Sequence, residues 1–218
     1  MITYLKQAQK LPNDTKAGIV LLILHSVGVV GYLTPALNPY FLAMTPLNLL
    51  IAGSLIVYFQ YWGNLRRLWV PALVFFIGLL AEIVGVRYGF LFGSYHYGQT
   101  LGPKVLEVPW IIGFNWLQLG FAFAAFTTHY ITRNKIISVL LAASLMVMLD
   151  FLIEPVAITY DYWSWENGSV PIMNYIGWLI VAIIVQTIIQ QEDLNGLKKL
   201  SLMVIVAQLI FFVVLNIF

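Results

Sequence analysis

Two carboxylates, four residues apart, mark where this chain could do chemistry. Asp150 and Glu154 occur near the end of a long apolar run, in the stretch Asp150-Phe-Leu-Ile-Glu154-Pro155. On a helix this spacing places both side chains on one face, about one turn apart. Two carboxylates this close interact, so that one can hold a proton at neutral pH while the other is charged. The pair therefore suits a general acid beside a general base.

A third carboxylate, Glu82, lies near the end of another apolar run. An acidic side chain costs roughly 2.5–3.5 kcal/mol near the centre of a membrane-spanning helix, and less towards the interface. Acids in such positions are functional by default, and the structural alternative is pairing with Arg87 or Lys104 to hold helices together. We predict that Glu82, Asp150 and Glu154 form a proton-handling catalytic site.

The composition identifies the surroundings of these acids as a membrane. Hydrophobic residues make up 61% of the 218 residues and charged residues only 9%, whereas soluble domains carry about 25% charged residues. The basic residues behind the net charge of +2 are scattered among short loops, which argues against nucleic-acid binding. No cysteine is present to form a disulfide or a metal site. We predict an all-α, polytopic protein that crosses the cell membrane several times. In a bacterium this would be the inner membrane.

Seven apolar segments approach the ~20 residues that a membrane-spanning helix needs. The polar first 16 residues and the lack of a small-residue cleavage site argue against a signal peptide. No long linker or convincing internal repeat separates the segments, so residues 1–218 are predicted to form one integral membrane domain, a seven-helix bundle. The predicted spans are residues 17–33, 44–62, 68–86, 109–130, 136–155, 170–190 and 200–217.

Basic residues predict the orientation of this bundle. Nine of the eleven lysines and arginines fall on one side of the predicted spans, and such an excess marks the cytoplasmic side. The N-terminus is therefore predicted to be cytoplasmic, and Glu82, Asp150 and Glu154 to share a depth towards the opposite leaflet. The nine residues are Lys6, Lys10, Lys16, Arg66, Arg67, Arg133, Lys135, Lys198 and Lys199.

The two longest loops lie above these acids and are rich in aromatic residues: Tyr95, Tyr97, Trp110, Trp116, Trp163, Trp165 and Trp178 lie in or beside them. Aromatic side chains are common at membrane interfaces, but electron-rich rings also stabilise cations. Two amides near the outer helix ends either bond between helices or position water. We predict a substrate pocket formed by Tyr95, His96, Trp110, Asn115, Trp116, Trp163, Trp165 and Asn174.

Histidines and lysines exclude two familiar classes of membrane protein. His25, His96 and His129 lack the paired spacing of a membrane di-iron enzyme, and we predict no metal. His25 and His129 are expected to lie in the core or at the membrane interface, while His96 could donate or relay a proton. A retinal-binding pump needs a lysine inside its last helix, and Ser201–Phe218 contains none.

Two blocks of sequence, which together cover about residues 80–180, carry a family likeness. The first block contains Glu82-Ile-Val-Gly-Val-Arg-Tyr-Gly89, Phe92-Gly-Ser-Tyr-His-Tyr97 and Val108-Pro-Trp110. The second contains Asp150-(x)3-Glu154-Pro155, Tyr162-Trp-Ser-Trp165 and Asn174-Tyr-Ile-Gly-Trp178. Together these motifs resemble the carotenoid biosynthesis membrane-protein family, which includes hydratases of acyclic carotenoid ends. The position of Glu154 more often holds Asp in that family, a conservative departure.

The resemblance implies a hydratase that adds water to the terminal carbon–carbon double bond of an acyclic ψ-end, in lycopene, γ-carotene or a longer relative. It implies no cofactor, and the sequence contains no dinucleotide fingerprint. Protonated Asp150 or Glu154 would protonate the alkene, and Glu82 or the remaining carboxylate would take a proton from the attacking water. Two alternatives stay open: a cyclase that begins with the same protonation, and a non-catalytic carotenoid-binding or proton-coupled transport protein.

Overall fold

The computed structural model describes residues 14–218, and each apolar segment that was predicted to span the membrane coincides with a long helix. Lys6 and Lys10, on which the predicted orientation partly depends, lie outside the described residues. The helices are α1 (Asp14–Leu33), α2 (Asn38–Ala43), α3 (Thr45–Tyr61), α4 (Trp69–Tyr88), α5 (Ile112–Phe126), α6 (Lys135–Thr159), α7 (Ile172–Ile189) and α8 (Lys198–Ile217).

Five of the long helical stretches have the length and apolar composition to cross a membrane: Asp14–Leu33, Leu65–Tyr88, Lys135–Thr159, Ile172–Ile189 and Asn195–Ile217. The other two are shorter. Helix α3 has 17 residues, and α5 has 15 before it continues into a π-helical turn at Thr127–Ile131. The five helices identify a membrane protein, whereas the count of seven spans and the cytoplasmic N-terminus stay predictions.

Helix α5 forms the core of the bundle. Apart from Asn115 and Gln118 its sequence is apolar, a pattern typical of a helix with neighbours all around it, and α3, α4, α6, α7 and α8 all pack on it. A glycine lets one neighbour approach closely: a Cβ at Gly78 of α4 would lie 2.3 Å from Cγ of Trp116 on α5. Trp116 is thereby held against α4, the helix that carries Glu82.

Caps fix the two helices that carry the acids. Helix α4 ends at Gly89, whose φ of 67° is in the left-handed region that favours glycine. Helix α6 begins after Asn134, whose side chain accepts a hydrogen bond of 3.1 Å from the backbone N–H of Ile137. The helix then continues through Pro155 to Thr159, beyond the predicted end at residue 155. An interior proline removes one backbone hydrogen bond and can be tolerated when the surrounding packing is retained.

Two short antiparallel strand pairs add to the helices, so that the all-α prediction holds for the bundle but not for its loops. Strand β1 (Tyr95–Tyr97) pairs with β4 (Trp163–Trp165), and β2 (Lys104–Val105) pairs with β3 (Val108–Pro109). The first pair joins the loop after α4 to the loop after α6. It therefore brings the surroundings of Glu82 next to those of Glu154.

Candidate active site

The pairing of β1 with β4 determines which loop side chains face the helices. Tyr95 lies opposite Trp165 and Tyr97 opposite Trp163. Because successive side chains of a strand point to opposite faces, these four side chains share the inner face, and all four are buried. His96, between the two tyrosines, is on the outer face, where it is exposed. The short strands thus place two phenols and two indoles over the ends of α4 and α6.

Glu82 is held by three neutral donors. It lies near the end of α4 and is almost fully buried. The hydroxyls of Tyr95 and Tyr97 donate to its Oε2 at 2.6 and 2.8 Å, and the indole Nε1 of Trp116 donates to its Oε1 at 3.0 Å. Burial, reinforced by the nearby Glu82 carboxyl, raises the pKa of Tyr95 and Tyr97 well above the ordinary tyrosine value. Both phenols therefore keep their protons at neutral pH.

Glu154 is also held by three donors, but all of them are N–H groups. The indoles of Trp163 and Trp165 donate to its Oε2 at 3.0 and 2.9 Å. The amide of Asn174, on α7, donates to its Oε1 at 2.9 Å. The two glutamates therefore have closely similar hydrogen-bonding arrangements, with two donors on one oxygen and one donor on the other.

Asp150 lies one helical turn before Glu154 and shares a donor with it. The Nδ2 group of Asn174 donates to Asp150 Oδ2 at 2.9 Å, the same distance as to Glu154. Asp150 is completely buried, and its Oδ1 has no hydrogen-bond partner among the described residues. The predicted pairing of the two acids on one helix face is confirmed, with an amide as the bridge between them.

A small polar cavity lies between the two glutamates. Its volume is about 20 Å³, and a cavity of more than about 10–15 Å³ can hold one buried water molecule. It is lined by Glu82, Tyr95, Tyr97, Ile112, Asn115, Glu154, Trp163, Trp165, Asn174 and Trp178. A water molecule in this space would be surrounded by both carboxylates, two amides and the faces of several aromatic rings.

A larger apolar groove meets this cavity. Its volume is about 160 Å³, and it is lined by side chains of α1, α3 and α8, among them Leu24, Ile51 and Phe211. Residues at its rim, such as Val27 and Leu47, are about half exposed on the outer surface of the bundle. The groove and the polar cavity share three lining residues, Ile112, Asn115 and Trp163. A long apolar molecule in the groove could therefore bring one end to the carboxylates.

The cations that could have paired with these acids are engaged elsewhere. The ammonium group of Lys104 donates to the carbonyl oxygen of Tyr97 at 2.6 Å. The Arg87 guanidinium lies 5.9 Å from the centre of the Tyr88 ring. The only ion pair in the described part of the chain joins Arg67 to Glu192, at 2.6 Å. Within residues 14–218, neutral donors alone thus hold Glu82, Asp150 and Glu154.

Seven of the eleven predicted site residues line the small cavity: Glu82, Tyr95, Asn115, Glu154, Trp163, Trp165 and Asn174. Two others lie behind its wall, Trp116 as a donor to a glutamate and Asp150 as an acceptor from an amide. The last two lie outside it. Trp110 is half-buried against Phe114, with ring centres 5.8 Å apart, and His96 shares a hydrogen bond of 2.9 Å with Ser164 on the outer face.

Besides the apolar Ile112, the predicted pocket leaves out two residues that line the cavity, Tyr97 and Trp178. Tyr97 donates to Glu82, and Trp178 lines the cavity and stacks on Trp116 with ring centres 4.2 Å apart. The sequence carries a signal for each of them. Tyr97 follows Tyr95 by two residues, the strand period, and Trp178 follows Asn174 by four, about one helical turn.

No cluster of three or more His, Asp or Glu side chains within residues 14–218 is arranged to hold a metal ion. The three site acids do not converge on one point, because Glu82 binds two tyrosines and Trp116. Asp150 and Glu154 bind a separate set of neutral donors, in which Asn174 is shared. The predictions of no metal and no cofactor remain predictions.

Comparison with known proteins gives a family match and one relative. A family described as carotenoid biosynthesis proteins matches residues 42–218. A bisanhydrobacterioruberin hydratase from Haloarcula japonica is 27% identical over 106 residues, which cover 45% of this chain and 36% of the relative. The matched region thus spans about a third of the relative's length. No solved structure matches the chain.

Proposed function

The chain belongs to the carotenoid biosynthesis protein family, and from this premise we propose that it is a carotenoid hydratase. It would act as a carbon–oxygen lyase that adds water to the terminal carbon–carbon double bond of an acyclic carotenoid end. The observation that carries this proposal is the junction of the apolar groove with a water-sized cavity that contains Glu82 and Glu154. The similarity to a hydratase supports the same reaction class.

The groove suits the end of a polyene. Its lining is mainly apolar, and its half-exposed rim at Val27 and Leu47 opens on a helix surface that, in a membrane protein, faces lipid. A carotenoid dissolved in the bilayer could insert one ψ-end there and leave the rest of its chain among the acyl tails. Lycopene and γ-carotene both offer such an end. The proposed setting is the bacterial inner membrane, crossed by seven helices with the N-terminus in the cytoplasm.

The types of donor distinguish the roles of the two glutamates. Indole and amide N–H groups can only donate, so the donors on Glu154 favour a carboxylate that stays ionised. A phenol hydroxyl can donate or accept. Tyr95 and Tyr97 can therefore bind Glu82 in either protonation state, by turning their hydroxyl hydrogens. This arrangement supports Glu82 as the general acid and Glu154 as the general base, whereas the expectation from the sequence assigned the acid role to Asp150 or Glu154.

The proposed reaction has two steps, protonation of the alkene and attack by water. Glu82 transfers a proton to the less substituted carbon of the terminal double bond, which leaves a tertiary carbocation and an ionised Glu82. The oxygen of the cavity water bonds to the cationic carbon, while a proton of that water passes to Glu154. The product is a tertiary alcohol, and transfer of a proton from Glu154 to Glu82, through the next water molecule, restores the starting state.

The cation would be stabilised by charge and by aromatic faces. Ionised Glu154 lies next to the cavity, and Trp163, Trp165 and Trp178 contribute to its walls. Ring faces attract cations, and preorganised groups around developing charge often provide the largest share of catalysis. Asn115, at the junction, is placed to hydrogen-bond the water as the carbocation forms.

Expression of the chain in a bacterial host that accumulates lycopene, followed by chromatography and mass spectrometry of the pigment, tests the proposal. A pigment heavier by one or two water molecules is the expected result. A pigment of unchanged mass with a shifted absorption maximum would show that the protein cyclises the end group instead of hydrating it. Unaltered lycopene and γ-carotene, with the protein present in the membrane, would contradict the proposal and favour a binding or transport role.

A further inference from the structure

Asp150 differs from the other two acids in its relation to the cavities. Glu82 and Glu154 both line the small cavity, whereas Asp150 lines neither the cavity nor the groove. It is completely buried behind Asn174, and one of its two carboxyl oxygens has no hydrogen-bond partner within residues 14–218. A substrate in the groove would not touch it. Asp150 therefore has a different task from that of a proton donor to the alkene.

Asn174 links Asp150 to the chemistry. Its Nδ2 group has two hydrogens, and it donates to Asp150 Oδ2 and to Glu154 Oε1, each at 2.9 Å. If the amide turned over, its oxygen would face both carboxyl groups and its N–H donors would be lost to them. Acceptance by Asp150 on one side and by Glu154 on the other thus holds Asn174 in the orientation that donates to Glu154.

The supply of donors also indicates where the negative charge lies. From the described residues, Glu154 accepts three hydrogen bonds and Asp150 one. A buried ionised carboxylate requires several donors or a cation, and two neighbouring carboxylates that share a site resist ionising together. The two candidate cations, Arg87 and Lys104, make other contacts. The charge of the pair is thus best accommodated on Glu154, with Asp150 neutral.

We propose that Asp150 is a positioning residue: it remains protonated throughout turnover and acts only by holding the Asn174 amide, which orients the base Glu154. The inference rests on the proposed hydration for its link to turnover. A neutral acceptor should be able to replace it. The amide of Asn has the same shape as a protonated Asp and keeps a carbonyl oxygen that can accept from Asn174.

Two substitutions at this position separate the proposal from a catalytic role. Asp150→Asn should retain most of the hydratase activity, whereas Asp150→Leu, which fills the space without an acceptor, should reduce kcat roughly tenfold, the effect of losing one hydrogen bond to a charged site. Asn174→Ala should reduce kcat by a similar factor. The double variant Asp150→Leu/Asn174→Ala should be no slower than Asn174→Ala alone, because both changes remove the same interaction.

Infrared spectroscopy of the protein in lipid nanodiscs, with aspartate carrying a ¹³C-labelled carboxyl group, gives a readout independent of activity. The wild-type protein should show the C=O band of a protonated aspartic acid in a buried environment. The band should persist in Glu82→Gln and Glu154→Gln and disappear in Asp150→Asn. If Asp150 served only to pack the helices as an ionised carboxylate, the wild-type protein would lack this band.

Three results would overturn the proposal. Loss of activity in Asp150→Asn as complete as in Glu154→Gln, with both proteins folded in the membrane, would show that the proton of Asp150 is transferred. Full activity of Asp150→Leu would show that Asn174 does not depend on it. A wild-type spectrum without the protonated band would show that Asp150 is ionised. If the wild-type protein converts no carotenoid, the hydration proposal fails, and the infrared band still decides the state of Asp150.

Discussion

The two ends of the bundle bind glutamate in different ways. Near the start of the loop after α7, Glu192 is almost fully buried and pairs with Arg67 at 2.6 Å. At the opposite ends of α4 and α6, Glu82 and Glu154 are equally buried but are held by phenols, indoles and an amide. One end neutralises its acid with a cation, and the other end solvates its acids with neutral dipoles.

A cation and a set of neutral donors give a buried glutamate different chemical properties. A carboxylate paired with a guanidinium is held ionised by that cation, which suits a structural link between two loops. A carboxylate held by neutral donors keeps its own charge available to a developing carbocation, and in the case of Glu82 can also exchange a proton with hydroxyl neighbours. We therefore expect substitutions of the two kinds of glutamate to affect different properties, stability at one end and turnover at the other.

The largest effect is expected from Glu82→Gln and Glu154→Gln. Each amide keeps the size of the side chain but can neither donate the proton nor accept it, and general acid–base groups contribute about 10²–10⁴-fold to rate. Conversion of lycopene in isolated membranes, measured per amount of folded protein, should fall by that factor in each variant.

Glu192→Gln is the matched control for both. It should retain hydratase activity and lose stability by about 1–2 kcal/mol, since Arg67 is nearly half exposed and water partly replaces the lost partner. Turnover that fell as far in Glu192→Gln as in the other two variants would remove the distinction between the ends. Wild-type turnover in both Glu82→Gln and Glu154→Gln would remove the proposed site itself.

A smaller loss is expected from Tyr95→Phe and Tyr97→Phe. Each change removes one hydroxyl donor from Glu82, and a hydrogen bond to a charged group is worth about 1.5–3 kcal/mol, so kcat should fall roughly tenfold or more. Tyr88→Phe is the matched control, because Tyr88 is 64% exposed at the end of α4. Equal rates in all three variants would show that the phenols do not support the acid.

The pH dependence of the wild-type enzyme sharpens the same point. Burial raises the pKa of Tyr95 and Tyr97 above the ordinary value of 10.0. The neutral phenol is therefore retained as pH rises, and the two donors should not be lost at mildly alkaline pH. Titration of tyrosinate absorbance in the wild-type protein and in the double variant Tyr95→Phe/Tyr97→Phe measures this. A tyrosinate signal below pH 10 that the double variant lacks would contradict it.

The sequence predicted the long helices and much of the site for physical reasons. Long apolar runs are strong signals, and acids near their ends stand out because charge in lipid is costly. It could not predict the partners of those acids. A strand of three residues offers a single two-residue spacing, that of Tyr95 and Tyr97, and one spacing was too weak a signal to place His96 on the opposite face. Trp116 lies on α5, which is apolar on nearly every side, and such a helix gives no sign of which residue faces Glu82.

No local pattern in the sequence predicts where the groove lies. It depends on α1, α3 and α8, which are far apart in sequence and are brought together by packing on α5. The sharing of Asn174 by Asp150 and Glu154 also depends on the register of α7 against α6. Register between helices follows from side-chain packing along their whole length, and this information is not local to any motif.

A moderate effect is expected from Gly78→Ala. Its new Cβ would lie 2.3 Å from Trp116, which is completely buried and cannot move aside. Overpacking of this kind costs about 1–3 kcal/mol, and the displaced indole would weaken its bond to Glu82. Thermal unfolding in detergent should show the loss of stability. Gly28→Ala is the control, since its Cβ would meet only the edge of Phe211 at 3.2 Å; equal melting temperatures of the two variants would contradict the predicted clash.

The smallest effect is expected from His96→Ala, although His96 is between the two tyrosines that bind Glu82. Strand alternation turns its imidazole to the outer face, where its partner Ser164 is also outside the cavity. Turnover should stay within about twofold of wild type, because substitutions at exposed positions usually change stability by less than about 0.5 kcal/mol. Ser164→Ala should behave in the same way. A loss in His96→Ala as large as that in Tyr97→Phe would mean that the imidazole takes part in proton transfer, and that the short strand pair does not keep its two faces apart during the reaction.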